Sequence, residues 1–385
     1  MKNALVVGGN SGIGLAMVDK LLKEGYEKIY IVGKELPDLT TLSENSYYNE
    51  NKIVAKKINL LIGDFSIFDE IQDISALVIT AGFGRVARFE DLTEEEVINL
   101  IKVNTETCVR IIKKYYDIIN SETDFYTAVM VSICGRVVSP LFSVYGATKG
   151  ALRFFIENLN CELAVNGKRN RILEVSPGSV SGTSFNGGKT NLSSLKDFTD
   201  NLYLKMINRE TLFIPQYNEI YKDVIKRYNE DAEKFGAESY EYKIRNGRLN
   251  DKPQVVVGYL SGTFDLFHIG HLNLIRKAKE NCDYLIVSVH KSGAWKGKET
   301  FIPYEERCEI IASIKYVDKV AEDFKEDSDA WDKYHYDKLF VGSDYQGTER
   351  FNRYEQILKG KAQIIYFPYT KGTSSTQLRD ALKKS

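Results

Sequence analysis

Short apolar runs alternate with amphipathic stretches of helical period along nearly the whole chain, and the alternation breaks off once and starts again. Apolar runs stand at residues 4–7, 29–32, 76–79, 128–132 and 172–176, with helical patterns between them, as at 13–22 and 144–164. Strand and helix in succession predict a parallel sheet covered on both faces, because each crossover lays a helix over the sheet. Residues 216–235 predict a further, tyrosine-rich helix. A polar, charged stretch follows, and a new apolar run opens at 254–260. Strands are then predicted at 284–289, 338–341 and 363–367, and helices at 271–280, 304–314, near Glu355 and at 375–383.

The expected fold class is α/β, with two doubly wound parallel-sheet (Rossmann-like) domains in tandem. The first spans 1–240, a linker 241–252, and the second 253–385. At 385 residues the chain is long enough for two cores. A formal net charge of −1 excludes bulk electrostatic capture of nucleic acid or of an anionic membrane. The cysteines Cys108, Cys134, Cys161, Cys282 and Cys308 are scattered and form no Cys-x-x-Cys pair. Neither a disulfide frame nor a metal site is expected, and a reducing cytoplasm is the natural setting. The first strand begins at residue 4, so no signal peptide is expected, and no apolar run reaches membrane-spanning length.

Gly8, Asn10, Ser11, Gly12, Ile13 and Gly14 lie between the first strand and the first helix. Glycines let the backbone approach a pyrophosphate, and the helix N-terminus offers unpaired N–H groups. Alone, such a turn is as well explained by tight packing. Tyr145 and Lys149, however, are four apart in a helical run and share a face. An ammonium beside a phenol is expected to lower its pKa toward the range of a general acid or base. Ser132 closes the preceding strand, where its hydroxyl reaches the same carbonyl oxygen, and Asn104 lies in an earlier helical stretch.

On these residues, with Thr80-Ala81-Gly82 after the fourth strand and Pro177-Gly178 with Thr183, residues 1 to about 235 resemble the short-chain dehydrogenase/reductases. The resemblance implies a nicotinamide cofactor on the glycine turn, Ala81, Gly82, Pro177, Gly178 and Thr183. It makes Tyr145 the proton donor and Ser132 the carbonyl's partner, with Lys149 binding ribose and Asn104 supporting a proton relay. The family's Thr before the first glycine is Val7 here, its Asn-Asn-Ala-Gly reads Ile79-Thr80-Ala81-Gly82, and its acidic residue near the third strand is Asn59. No Asp ends the second strand; Lys34 stands after Gly33 and could pair with a 2′-phosphate, which favours NADPH over NADH.

The second half opens on Gly262-Thr263-Phe264-Asp265-Leu266-Phe267-His268-Ile269-Gly270-His271. Histidines at a strand-to-helix junction can donate to the oxygens of a phosphate under attack. Lys296, Lys298 and Arg307 follow, and Gly372-Thr373-Ser374-Ser375-Thr376 precedes the last predicted helix. With Gly342-Ser343-Asp344-Tyr345, these residues resemble the His-x-Gly-His nucleotidyltransferases, and within them the glycerol-3-phosphate cytidylyltransferases. The resemblance implies that His268 and His271 stabilise the transition state and that Lys296 and Lys298 hold phosphates. It also implies that Gly262, Thr263, Phe264, Ser374, Ser375 and Thr376 bind CTP, that Asp265, Arg307 and Asp344 contact the acceptor, and that Mg2+ accompanies CTP. Where the family commonly has Arg, Tyr369 stands two residues before Lys371, and an adenylyltransferase remains open.

Together the signatures imply reduction of a ketose phosphate followed by coupling of the alditol phosphate to CTP. The product would be a CDP-alditol, of the CDP-ribitol or CDP-glycerol type, for a teichoic-acid-like or capsular polymer. The alternative is a cytidylyltransferase whose reductase-like domain regulates it or acts on an unrelated substrate. Family habit implies a homodimer or homotetramer, with small molecules as the other partners.

Overall fold

The computed structural model describes residues 2–43, 45–62, 65–183, 185, 189–249, 255–292, 300–368 and 378. Two compact units divide the chain, Met1–Pro253 and Gln254–Ser385.

In the first, β1 (Asn3–Val7), β2 (Lys28–Gly33), β3 (Ile53–Lys57), β4 (Ala76–Ile79), β5 (Tyr126–Met130), β6 (Ile172–Val175) and β7 (Leu212–Phe213) form a sheet in the order β3-β2-β1-β4-β5-β6-β7. Every pairing is parallel. Alternate residues of one strand enter different cores: Leu5 and Val7 pack with Ile111, Leu152 and Ile156 on one face, Ala4 and Val6 with Val18, Leu21 and Leu202 on the other. This period of two, apolar in both directions, marks a strand buried on both faces.

The second unit repeats the plan with β8 (Val257–Gly262), β9 (Tyr284–Val289), β10 (Lys319–Ala321), β11 (Lys338–Gly342) and β12 (Gln363–Phe367), in the order β10-β9-β8-β11-β12. Tyr259 and Ile286 belong to one core, Leu260, Leu285 and Val287 to the other. Both units are thus parallel α/β sheets of the expected class. In each, the strand order reverses beside the first strand of the unit, between β1 and β4 and between β8 and β11. Crevices at the carboxyl ends of strands open at such a reversal and take ligands.

Three strands escape the apolar-run criterion. β3 (IVAKK) is an edge strand ending in exposed lysines, β7 has two residues, and β10 is Lys-Val-Ala. Short, charged edges have little apolar surface to show. The tyrosine-rich helix expected at 216–235 is a π-helical turn, Tyr217–Tyr221, running into a helix at Lys222–Glu230. Asp231 then caps a further helix, Ala232–Arg245, by accepting from Lys234 N. The first part of the expected linker is therefore the end of that helix. The helix predicted at 375–383 lies outside the described residues. Among the described residues no helix is long and apolar enough to cross a membrane.

Candidate active sites

The turn after β1 passes in front of β4 with no space to spare. Gly8 has φ +86° and Gly12 φ +52°, where side chains are strained. A Cβ on Gly8 would stand 2.6 Å from Ala81 N, and one on Gly14 2.1 Å from the Gly8 oxygen. The Thr80 hydroxyl donates to the oxygens of Val7 (3.1 Å) and Gly8 (3.2 Å), pinning the two segments. Asn10 reaches back to β2, since a Cβ on Gly33 would meet its Oδ1 at 2.6 Å, and Lys34 follows, exposed. Ser11 is the extended N-cap of Gly12–Lys23 and makes no side-chain cap bond. Gly12 N–H donates to Thr190 Oγ1 at 2.8 Å, with Thr183 alongside. A pinned, glycine-rich turn at a helix N-terminus, placed where the strand order reverses, fits a dinucleotide's pyrophosphate.

Behind it lies the catalytic set expected from the sequence. Ser132 follows β5 in extended conformation, accepts from Cys134 N at 3.2 Å and hydrogen-bonds the Tyr145 hydroxyl. Tyr145 and Lys149 lie in the first turns of Ser143–Val165, both buried. Asn104 sits in a π-helical turn, Lys102–Glu106, between helices Glu94–Ile101 and Thr107–Lys114. Such turns recur at functional positions because they re-aim one residue. Here Asn104 accepts from Phe83 N (3.0 Å) and donates to Phe83 O (2.9 Å) and Thr148 Oγ1 (3.2 Å), while Thr148 donates to Tyr145 O (2.7 Å). The rings of Phe142 and Phe185 lie 5.1 and 5.6 Å from that of Tyr145, and Gly84 packs against it so closely that a Cβ would be 2.5 Å from Cδ2.

The electrostatics differ from the expectation. Burial pushes the Tyr145 phenol above its ordinary value, and the bond from Ser132 offsets that only in part. Burial likewise pulls the Lys149 ammonium down. Lys149 Nζ donates to Met130 O at 2.9 Å and lies 5.8 Å from the Tyr145 ring centroid. Desolvation, not the neighbouring charge, dominates both groups here.

In the second unit, β8 leads through residues 263–268 into the helix Ile269–Glu280. His268 is the N-cap, its Nδ1 accepting from Gly270 N at 3.0 Å. An Nδ1 that accepts carries no proton, so the neutral ring donates from Nε2. Burial holds His268 below its ordinary value, in agreement. The His271 ring stacks on it with centroids 4.0 Å apart, and Phe264 and Phe267 pack round it at 5.5 and 5.6 Å. Thr263 Oγ1 is buried with no hydrogen-bond partner among the described residues.

This turn is strained: Phe264 has φ +51° and Leu266 φ +48°, each costing about 1–2 kcal/mol. Two residues expected at the substrate bind the backbone around it. Asp265 is buried, and its Oδ1 accepts from Phe301 N and Ile302 N, both at 3.0 Å. Arg307 is 0% exposed and donates to the oxygens of Ile302 (2.9 Å), His290 (2.7 Å), Lys291 (3.0 Å) and Thr263. Bonded to these carbonyls, the guanidinium clamps the loop. Asp344 stays a candidate contact, exposed just past β11, the neighbour of β8. Lys296, Lys298, Ser374, Ser375 and Thr376 lie outside the described residues.

Residues 2–191 match the short chain dehydrogenase family and residues 259–381 the cytidylyltransferase-like family. Glycerol-3-phosphate cytidylyltransferase of Staphylococcus aureus is 36% identical over 125 residues, covering 31% of this chain and 90% of that protein. An uncharacterized oxidoreductase of Staphylococcus epidermidis is 26% identical over 183 residues, covering 46% of this chain and 78% of that one. The solved short-chain dehydrogenase of Streptomyces avermitilis superposes with TM-score 0.51 at 20% identity, covering 64% of this chain and 99% of that chain. The chain thus belongs to two enzyme families at once, the short-chain dehydrogenases through its first unit and the cytidylyltransferases through its second.

The parts played by Thr148 and Phe142 arise from tertiary placement and carry no local signal in the sequence. Gly82 was singled out as a cofactor contact, and the structure adds a second reason for it: a Cβ there would lie 3.0 Å from Asn104 Oδ1 and 3.2 Å from Lys149 Nζ. Gly82→Ala is expected to lower kcat for reduction at least about tenfold without touching nucleotidyl transfer, as parallel assays would show. For transfer, His268 must stay neutral to accept from Gly270 N. Its folded pKa lies below 6.5, so its contribution is full at and above neutral pH and is lost as pH falls through that lowered value. A pH–rate profile of transfer should be flat above about pH 7 and fall on the acid side of about 6.5; a limb at or above neutrality assignable to His268 would contradict this.

Proposed function

We propose that this chain reduces a ketose phosphate with NADPH and couples the resulting alditol phosphate to CTP, yielding a CDP-alditol and pyrophosphate. The observation that carries the reading is the presence in one chain of two assembled sites, Tyr145 with Ser132, Lys149 and Asn104, and the stacked pair His268 and His271.

Gly8, Asn10, Ser11, Gly12, Ile13, Gly14, Ala81, Gly82, Pro177, Gly178 and Thr183 would hold the nicotinamide cofactor, and Lys34 favours the 2′-phosphate form. When bound, the cofactor supplies hydride to the carbonyl carbon. The chain's own residues handle the proton. Ser132 holds the carbonyl oxygen and Tyr145 gives it the phenolic proton, completing the secondary alcohol. Because burial keeps Tyr145 protonated, the donor is loaded before substrate arrives. Lys149 keeps N–H groups beyond the one on Met130 O for a ribose hydroxyl and, through it, for reprotonating Tyr145. Asn104 holds the backbone at Phe83 and bonds Thr148, the residue before Lys149, and would support that relay from there.

In the second unit a phosphate oxygen of the alditol phosphate attacks the α-phosphorus of CTP and pyrophosphate leaves. His268, donating from Nε2, and His271 stabilise the non-bridging oxygens as charge gathers on them. Thr263, with its buried and unmatched hydroxyl, is suited to a nucleotide oxygen. Lys296, Lys298, Ser374, Ser375 and Thr376 would serve the phosphates. Magnesium would enter on the triphosphate, since such ions are bound largely through substrate phosphates. The cytidylyltransferase relative named for glycerol 3-phosphate favours a glycerol-sized acceptor, formed from a dihydroxyacetone derivative. Fusion to a ketone reductase also suits ribulose 5-phosphate and CDP-ribitol. Either product would feed a teichoic-acid-like or capsular polymer from the cytoplasm.

The full chain, given NADPH, CTP, magnesium and a panel of ketose phosphates, should oxidise NADPH and form a CDP-linked product. Tyr145→Phe should cut reduction by about a hundredfold or more and spare transfer to a preformed alditol phosphate; His271→Ala should do the reverse. Loss of both activities in either variant, or transfer to alditol phosphates with no ketose phosphate reduced, would overturn the reading.

A further inference from the structure

The helix Ala232–Arg245 lies beyond the segment matched by the dehydrogenase family, residues 2–191, and the chemistry above gives it no part. It nevertheless carries a buried lysine. Lys243 is 6% exposed, and its Nζ donates to Ser139 Oγ (2.7 Å), Pro140 O (2.7 Å) and Ser239 Oγ (3.3 Å). The same ammonium lies 5.4 Å from the centroid of the Phe142 ring, and Phe142 packs on Tyr145 with ring centroids 5.1 Å apart. Two contacts therefore lead from Lys243 to the proton donor.

The turn that Lys243 grips needs an external hold. Leu141 has φ +69°, a conformation that costs an L residue about 1–2 kcal/mol. Its carbonyl accepts from Ala87 N at 2.9 Å, which ties the turn to the segment containing Gly84, the residue against which the Tyr145 ring lies. The helix fits the turn closely, since a Cβ on Gly236 would meet Val138 and Pro140 at 3.6 and 3.8 Å. Burying an amine costs free energy that an apolar side chain avoids. Its burial pulls Lys243 down to about 8. A buried ammonium with two acceptors on one turn is suited to specifying that turn's conformation.

We infer that Lys243 is a positioning residue of the reductase, locking residues 139–142 so that Phe142 and Gly84 sandwich the Tyr145 ring in its proton-donating position. The inference rests on the reading of Tyr145 as proton donor.

The test compares Lys243→Met and Ser139→Ala with wild type in the full chain. Readouts are NADPH oxidation with the ketose phosphate panel, CTP-dependent transfer, and backbone hydrogen exchange. Lys243→Met should lower kcat for reduction about tenfold to a hundredfold, with KM for NADPH within about twofold and transfer unchanged, and should speed exchange selectively at 139–146. Ser139→Ala should shift the same quantities less. An unchanged kcat in Lys243→Met, or a fall in kcat accompanied by weakened NADPH binding and faster exchange across the whole first unit, would overturn the proposal. A wild type that reduces no ketose phosphate would count against the Tyr145 reading itself. Exchange then decides the clamp: unaltered protection at 139–146 in Lys243→Met overturns it, and selective loss there supports it.

Discussion

Desolvation of Tyr145 and Lys149 sets the terms for the first unit. Burial raises the pKa of the phenol, which keeps its proton, and lowers that of the amine beside it. The result is a protonated phenol suited to the donor role proposed for it, held by one hydroxyl and enclosed by Phe142, Phe185 and the backbone of Gly84. The π-helical turn at Asn104, the close approach of Gly82 and the placement of Ser132 all serve to gather polar groups round that dry phenol. A solvated tyrosine at the same position would need none of them.

The second unit meets a related need by other means. Its histidines stand at a helix N-terminus, where a capping bond sets the tautomer of His268 and stacking sets the plane of His271. Reaching that geometry forces two bulky residues into the left-handed region, and Asp265 and Arg307 absorb the strain by binding backbone on both sides. Strain held by buried charge is a common way to aim a catalytic loop. The glycine turn after β1 and the histidines after β8 both lie at the carboxyl end of a strand beside the point where strand order reverses, which is where the parallel plan leaves a crevice.

Much of this was legible in the chain. The alternation of apolar runs foretold two parallel sheets, because β4 is apolar at every position and β1 at every position after Asn3. Tyr145, Lys149 and Ser132 were legible because their spacing is local, and His268 and His271 because they share one helical turn. What escaped was set by partners far along the chain. Nothing near Asp265 or Arg307 says that their charges will bind backbone; that follows from Phe301, Ile302 and His290 folding over them. The direction of the Tyr145 pKa escaped for the same reason, since proximity to Lys149 is visible in the sequence and dehydration is not. The expected linker at 241–252 takes in the last turn of the helix Ala232–Arg245, whose polar surface hides a few inward residues, Gly236 and Lys243 among them.

The central claim is that the alcohol made by the first unit is the acceptor used by the second. Its most direct test is isotopic. Wild-type protein would receive NADPH carrying deuterium at the transferable position of the nicotinamide, a ketose phosphate, CTP and magnesium, and the CDP-linked product would be weighed by mass spectrometry. The account predicts a CDP-alditol heavier by one deuterium, with the label on the carbon that was the ketone. A CDP-linked product without the label, formed while the ketose phosphate remains unreduced, would contradict it.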